Sequence, residues 1–237
     1  MIRGLLGKKI GMTQIFDRDG NIVPVTIVEV GPCRVLGLMD TPSKRVKIGY
    51  DPLRESRLNK PQVGFFKKIG VTPMRYIREI ESTDNANYQI GQELKADVFK
   101  AGDFVNVAGI SIGKGFQGGM KRWHWRGGPA AHGSMHHRRV GSVSSSSDPS
   151  RVYKGKTMPG HMGDSSVLIE NLRVLKVDVD NNLILVNGSV PGKKNAFLTI
   201  TISKKKPFQS LEEKKVVRMV KRNPMKQSRA TAAGKAK

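Results

Sequence analysis

Five runs of the chain alternate apolar and polar residues with the period of two expected of strands that show one face to a core. They are IVPVTIVEV (Ile22–Val30), RVKIGY (Arg45–Tyr50), FVNVAGISI (Phe104–Ile112), LRVLKVDVDNNLILVNGSV (Leu172–Val190) and FLTITIS (Phe197–Ser203), all rich in β-branched residues. Turn signals lie between such runs at Asp19-Gly20, at Asp180-Asn181-Asn182 and in VPGKKN (Val190–Asn195). Short antiparallel strands at this spacing must hide their edges, so the pattern predicts a mostly β fold, with a barrel as the expected form. Residues 51–100 carry a weaker pattern. The run from Pro52 to Pro73 is polar and interrupted by Pro61, which predicts an irregular excursion with one short helix. Near the end, LEEKKVVRMVKR (Leu211–Arg222) has Glu early and Lys or Arg late, the sense that suits a helix dipole. The remainder, NPMKQSRATAAGKAK, reads as a disordered basic tail.

The alternation fails between Ile110 and Ser166. These 57 residues hold only five Ile, Leu or Val against eleven Gly. Such a segment cannot offset its conformational entropy by burial. Yet it lies between two strand-rich parts, where a long loop is either functional or disordered. The composition favours an arm that stays loose until a partner orders it. The expected organisation is therefore a discontinuous barrel domain from residues 1–109 and 167–202, an extended arm over 110–166, and a basic tail over 203–237 with a short helix at 211–222.

Charge sharpens this division. The chain has 237 residues, enough for one large or two small domains, and its 38% hydrophobic content permits a core. It carries 42 Lys and Arg against 19 Asp and Glu, a net of +23. Counted by segment, residues 1–109 carry +5, 110–166 carry +7, 167–202 carry +1 and 203–237 carry +10. So strong an excess, concentrated in arm and tail, points to a polyanionic partner. The single cysteine, Cys33, excludes an internal disulfide and a cysteine-based zinc finger, and reads as a small buried hydrophobe. No run approaches a membrane span and the N-terminus lacks a secretory pattern, so a soluble cytoplasmic protein without membrane contact is expected.

The arm's chemistry is that of RNA contact. In KGFQGGMKRWHWR, Lys114, Lys121, Arg122 and Arg126 can neutralise phosphates, while Phe116, Trp123, His124 and Trp125 offer faces on which unpaired bases stack. The competing reading puts both tryptophans on the protein's own barrel, but no aliphatic partner lies near them in sequence. His132 and His136 have a spacing that invites a metal, yet Gly133-Ser134 disfavours a helix there and the nearest acids are Asp148 and Asp164. No metal or other cofactor is expected. His132, His136, His137 and His161 read instead as donors to phosphate and sugar. Ser144–Ser147 is a flexible linker in which Ser145 can meet a phosphate, and RVYKGKTMPGHMG adds Arg151, Lys154 and Lys156, with Met158 and Met162 as gap fillers. No P-loop, dinucleotide fingerprint, nucleophile elbow or carboxylate pair appears, so the chain reads as a binding protein and not an enzyme.

Four stretches carry a resemblance to a known family. GLLGKKIGMTQIF, IGKGFQGGMKRW, HGSMHHR and KGKTMPGHMG together resemble the bacterial-type ribosomal protein L-three family of the large subunit, up to about residue 202. The resemblance implies a barrel of the kind shared with translation factors. It implies a central extension running into large-subunit rRNA toward the peptidyl transferase centre, and an early structural role in assembly beside neighbouring subunit proteins. A homo-oligomer is not implied. Expected rRNA contacts add Gln117, Arg138 and Arg139 in the arm, Lys8 and Lys9 near the N-terminus, and Lys204, Lys205 and Lys206 at the start of the tail. Two departures stand out. The loop after HHRR reads Ser144–Ser147 without the glutamine that some family members methylate, and the tail is longer and more basic than usual. A free RNA chaperone or nucleoid-type protein is the alternative that the same charge would serve. A metal-dependent enzyme built on the histidines would require bound zinc.

Overall fold

The computed structural model describes residues 1–17, 20–40 and 43–211. The alternating run FLTITI forms strand β12 (Phe197–Ile202), with Leu198 and Ile200 fully buried and Thr199 and Thr201 between them on the other face. That period-two division recurs in β2 (Ile22–Val30), β7 (Phe104–Ile110) and β11 (Leu183–Asn187), which bury Val28 and Val30, Val105 and Val107, and Ile184 and Val186. With the longer β1 (Gly4–Phe16) and β10 (Ser166–Asp178) they pair antiparallel in the order β1-β12-β7-β10-β11-β2, and β2 returns to β1 to close a six-stranded barrel. Closure leaves no open edge in the ring. A register shift between Lys9 and Gly11 marks a bulge in β1 opposite β2.

A second sheet covers one side of this ring. It has the order β5-β4-β3-β6, from β3 (Cys33–Met39), β4 (Arg45–Pro52), β5 (Met74–Glu81) and β6 (Glu93–Leu94). RVKIGY thus lies in this sheet and outside the ring. Its apolar face shares a single core with the barrel: Val35, Val46, Ile48 and Ile80 pack in one cluster with Leu5, Val30 and Ile200. Helix α1 (Lys60–Ile69) begins with Pro61 in its first turn and Gln62 accepting the Asn59 N–H at 3.3 Å. It stops at Gly70 in the left-handed region and buries Phe66 against Leu36, Val71 and Met74. The mostly β expectation holds, and α1 matches the short helix expected in residues 51–100. Strand β5 was not foreseen there, because MRYIREIE places charges among its apolar residues; only pairing with β4 and burial of Met74 and Ile80 define it. The expected helix at 211–222 lies, beyond Leu211, outside the described residues, as does Asp19.

Cys33 is fully buried, with its thiol against the Leu6 carbonyl at 3.5 Å. Burial pushes this thiol up from 9.0 to about 12, and Tyr50 is displaced upward chiefly by the same cause.

Two predictions follow from this core. Leu198→Ala removes a fully buried side chain from the barrel wall and is expected to cost about 2–5 kcal/mol, read as a lower urea midpoint. Cys33 keeps its proton in the fold above the pH at which the unfolded thiol loses it. Its contribution is therefore complete below the unfolded value of 9.0 and declines as pH rises toward about 12. Urea titrations at rising alkaline pH should show falling stability, with a shallower fall in Cys33→Val.

Candidate nucleic-acid interface

The arm leaves the barrel between two neighbouring strands. Ile110, last in β7, is the register partner of Ser166, first in β10. The ladder then continues outward. Ser111 N–H donates to the Ser165 carbonyl at 2.9 Å, Asp164 N–H to that of Ser111 at 3.2 Å, and Lys114 N–H to that of Met162 at 2.8 Å. Next come β8 (Gly115–Gln117) and β9 (Gly160–Met162), paired antiparallel. At Gly163 the chain has φ +77°, and a Cβ there would overlap the Ile112 carbonyl, so the crossing of the two rails requires glycine.

Beyond this root the arm folds on itself. Helix α2 (Gly119–Trp123) ends where His124 turns into the left-handed region at φ +59°. The Met158 carbonyl accepts both Arg122 Nη1 and Trp123 Nε1, each at 2.8 Å, and the Arg122 guanidinium lies 5.0 Å from the Trp123 ring centroid. Trp125 packs flush on Gly119, where a Cβ would overlap its ring. Both tryptophans thus find partners inside the arm. A return loop is closed by Gly128 N–H donating to the His137 carbonyl at 3.1 Å, with His137 Nδ1 2.7 Å from the Pro129 carbonyl. Ser145 serves a turn, donating to the Asp148 carbonyl at 3.1 Å, and Gln117 donates to the Lys114 carbonyl.

The expected contact residues divide into two groups. Lys114, Lys121, Arg126, Arg138, Arg139, Lys154 and Lys156 are exposed and form no ion pair among the described residues. His124, His132, His136 and His161 are exposed beside them, and Arg151 lies 5.2 Å from the centroid of Tyr153. Five cations, by contrast, are held by the barrel and its second sheet. Lys8 pairs with Asp51 at 3.1 Å, and Lys9 donates to the Val190 and Gly192 carbonyls at 2.8 and 3.1 Å. Lys204 pairs with Glu81 and Lys205 with Glu170, each at 2.5 Å, while Lys206 lies 5.0 Å from the Phe104 centroid. The hydrogen bond from Lys204 holds the Glu81 carboxyl below the usual range. The Lys204–Glu81 and Lys205–Glu170 pairs are solvent-exposed and individually weak, while Lys8–Asp51 is half-buried.

Two features escaped sequence reasoning. Phe116 and His161 are cross-strand partners in β8 and β9, both exposed, so residues 45 positions apart form one aromatic platform. Tyr153, 58% exposed, adds another ring, and its basic-aromatic setting in RVYKGK was a usable signal. Among the described residues there is no group of three or more His, Cys, Asp or Glu able to hold a metal, and no helix is long and apolar enough to cross a membrane.

The model of the family described as Ribosomal protein L3 matches residues 75–179, a span that includes β7, the whole arm and β10. The large ribosomal subunit protein uL3 of Brachyspira hyodysenteriae is 46% identical over 206 residues, covering 86% of this chain and 95% of the relative. That of Brevibacillus brevis is 48% identical over 209 residues, covering 87% of this chain and all of the relative. The chain belongs to the ribosomal protein L3 family. The arm, in which Ile, Leu and Val make up the smallest share of the residues, therefore lies wholly inside the segment that the family model matches.

Gly119→Ala should drive Trp125 off its seat without touching the barrel. We expect a red shift of tryptophan emission and faster proteolysis within residues 110–166, with the thermal unfolding midpoint unchanged. A lowered midpoint would place Trp125 in the structural core.

Proposed function

We propose that this protein is a structural constituent of the large ribosomal subunit, in the cytoplasm, and binds large-subunit rRNA directly. The observation that supports this reading is the arm: a run of cations that form no ion pair among the described residues, with exposed rings beside them, fixed at its root by a ladder that continues the barrel wall. Unpaired cations bind phosphate by releasing condensed counterions, and exposed rings take unpaired bases. The division into barrel (residues 1–109 and 167–202), arm (110–166) and tail (203–237) follows the charge. The barrel, of the kind shared with translation factors, sits on the subunit surface while the arm threads between RNA helices toward the peptidyl transferase centre. Early binding would nucleate assembly beside neighbouring subunit proteins. Lys114, Lys121, Arg126, Arg138, Arg139, Lys154 and Lys156 are the leading phosphate contacts. Lys8, Lys9 and Lys204–Lys206 would reach RNA only by exchanging their present partners. No catalytic step is involved.

A free RNA chaperone would use the same charge without a fixed address. Limited proteolysis of the free protein beside intact large subunits separates the two. Cutting within 110–166 when free, with protection in the subunit after a high-salt wash, is the expected result. Release from the subunit by the wash would favour the chaperone. In binding to an rRNA fragment, replacing Lys121, Arg138 and Arg139 by Ala should lower the salt slope by about 0.7–0.9 per lost phosphate contact. An unchanged slope would remove these residues from the interface.

A further inference from the structure

Most of the arm's surface is open, but one part of it is concave. Trp125, Gly127-Gly128, His136, Arg139–Ser142 and Lys156-Thr157 line a cleft of about 360 Å³. We infer that this cleft seats one unpaired RNA nucleotide, its base stacked on Trp125 and its flanking phosphates on Arg139 and Lys156. The inference rests on the RNA-binding reading above and goes further by naming what the cleft takes.

Trp125 is half-buried: one side rests flush on Gly119, and the ring also lines the cleft. Gly127 and Gly128 line it without side chains, and a Cβ at Gly128 would overlap the His136 carbonyl, so the loop 127–137 lies tightly against itself, with His136 also on the lining. No carboxylate lines the cleft, and Arg139 and Lys156 have no side-chain partner among the described residues. Ser142 and Thr157 add hydroxyls able to meet base edges or a sugar.

This set of groups selects among anions. Two free cations around an aromatic ring suit a ligand with a flat face and a negative charge close to it. A nucleotide has both, joined by one sugar. An acidic peptide would use the cations and leave the ring idle. A base inside a duplex has both faces covered by its neighbours, so it cannot also stack on Trp125. The occupant must therefore be extruded or single-stranded. The Phe116–His161 platform differs in this respect, being exposed on both residues and not part of this cleft.

The chain has only two tryptophans, which makes the cleft readable by fluorescence. In full-length Trp123→Phe, the remaining emission is that of Trp125. Hexaadenylate should quench it saturably, whereas a blunt RNA duplex of equal phosphate number should bind with little quenching. Adding Arg139→Ala and Lys156→Ala should weaken hexaadenylate binding about tenfold or more at low salt, as loss of two phosphate contacts implies. Hexaadenylate that binds without quenching, or a duplex that quenches equally, would reduce the cleft to a phosphate contact and overturn the inference while leaving RNA binding intact. Failure of both RNAs to bind at low salt would overturn the RNA-binding reading and the cleft together. Since Trp123 also holds the Met158 carbonyl, the unsubstituted protein supplies an independent test: irradiation with a 4-thiouridine hexamer. Crosslinks confined to peptides holding Trp125 or Arg139–Ser142 support the seat, and crosslinks scattered along the arm refute it.

Discussion

The whole arm depends on the ladder between β7 and β10. Going outward, Val107, paired with Ile169, is the last fully buried residue of this ladder, and the register ends at the exposed pair Ile110 and Ser166. From there to β8 and β9 the two rails are joined by hydrogen bonds, from backbone and hydroxyl groups of Ser111 and Ser165 and then from Lys114 N–H to the Met162 carbonyl. A net backbone hydrogen bond contributes only about 0.5–1.5 kcal/mol in water, and an isolated two-stranded ribbon is marginal. The root is firm because each rail is the end of a strand whose other residues are held by buried side chains. Stability thus flows outward from Val105, Val107, Val174 and Leu198 and fades along the arm. A segment built in this way has a defined direction at its base and little resistance to reshaping at its tip.

Charge distribution reinforces that gradient. On the barrel, cations have been given partners: Lys8 with Asp51, Lys204 with Glu81, Lys205 with Glu170, and Lys9 with the carbonyls of the Val190–Gly192 turn. Arg173 does a related task, donating to the Gln209 and Ser210 carbonyls at 3.2 and 2.8 Å and so fixing how the chain leaves β12 toward its basic end. The arm's cations form no ion pair among the described residues, where Asp148 and Asp164 are the segment's only acids, although Arg122 meets the Met158 carbonyl. Its cations repel one another at low salt and gain most when a polyanion arrives. The same residues that make the free arm unfavourable are those with the largest electrostatic gain on binding.

How much of this was legible beforehand depends on where each element finds its support. Strands β2, β7, β11 and β12 could be read because one face is buried and the other wet, which writes period two into the sequence. Strand β1 could not: Leu5 and Leu6 are adjacent and both fully buried, and the glycines and lysines that follow blur the rest. Strand β5 is defined by its neighbour β4 more than by its own composition. In the arm, composition located the cations and rings because residue type alone marks them. It could not reveal that Met158 offers its carbonyl to both Arg122 and Trp123, since a carbonyl is common to every residue. Nor could it pair Phe116 with His161, or show that Lys8 and Lys9 are engaged within the barrel. Those facts are set by three-dimensional register, on which a local pattern is silent.

The arm also shows how a segment without an apolar core can still have a shape. Its close approaches fall where a side chain would not fit: Gly119 under Trp125, Gly163 beside the Ile112 carbonyl. In the barrel, shape is imposed by volumes that must be filled, so removing atoms is the damaging change. In the arm, shape is imposed by surfaces that must touch with nothing between them, so adding one carbon is the damaging change. This explains why eleven glycines in 57 residues do not make the segment formless. Four of them, Gly119, Gly127, Gly128 and Gly163, are positions at which backbone meets ring or backbone meets backbone, whereas Gly115, Gly118, Gly133, Gly141 and Gly155 have open space where a Cβ would stand.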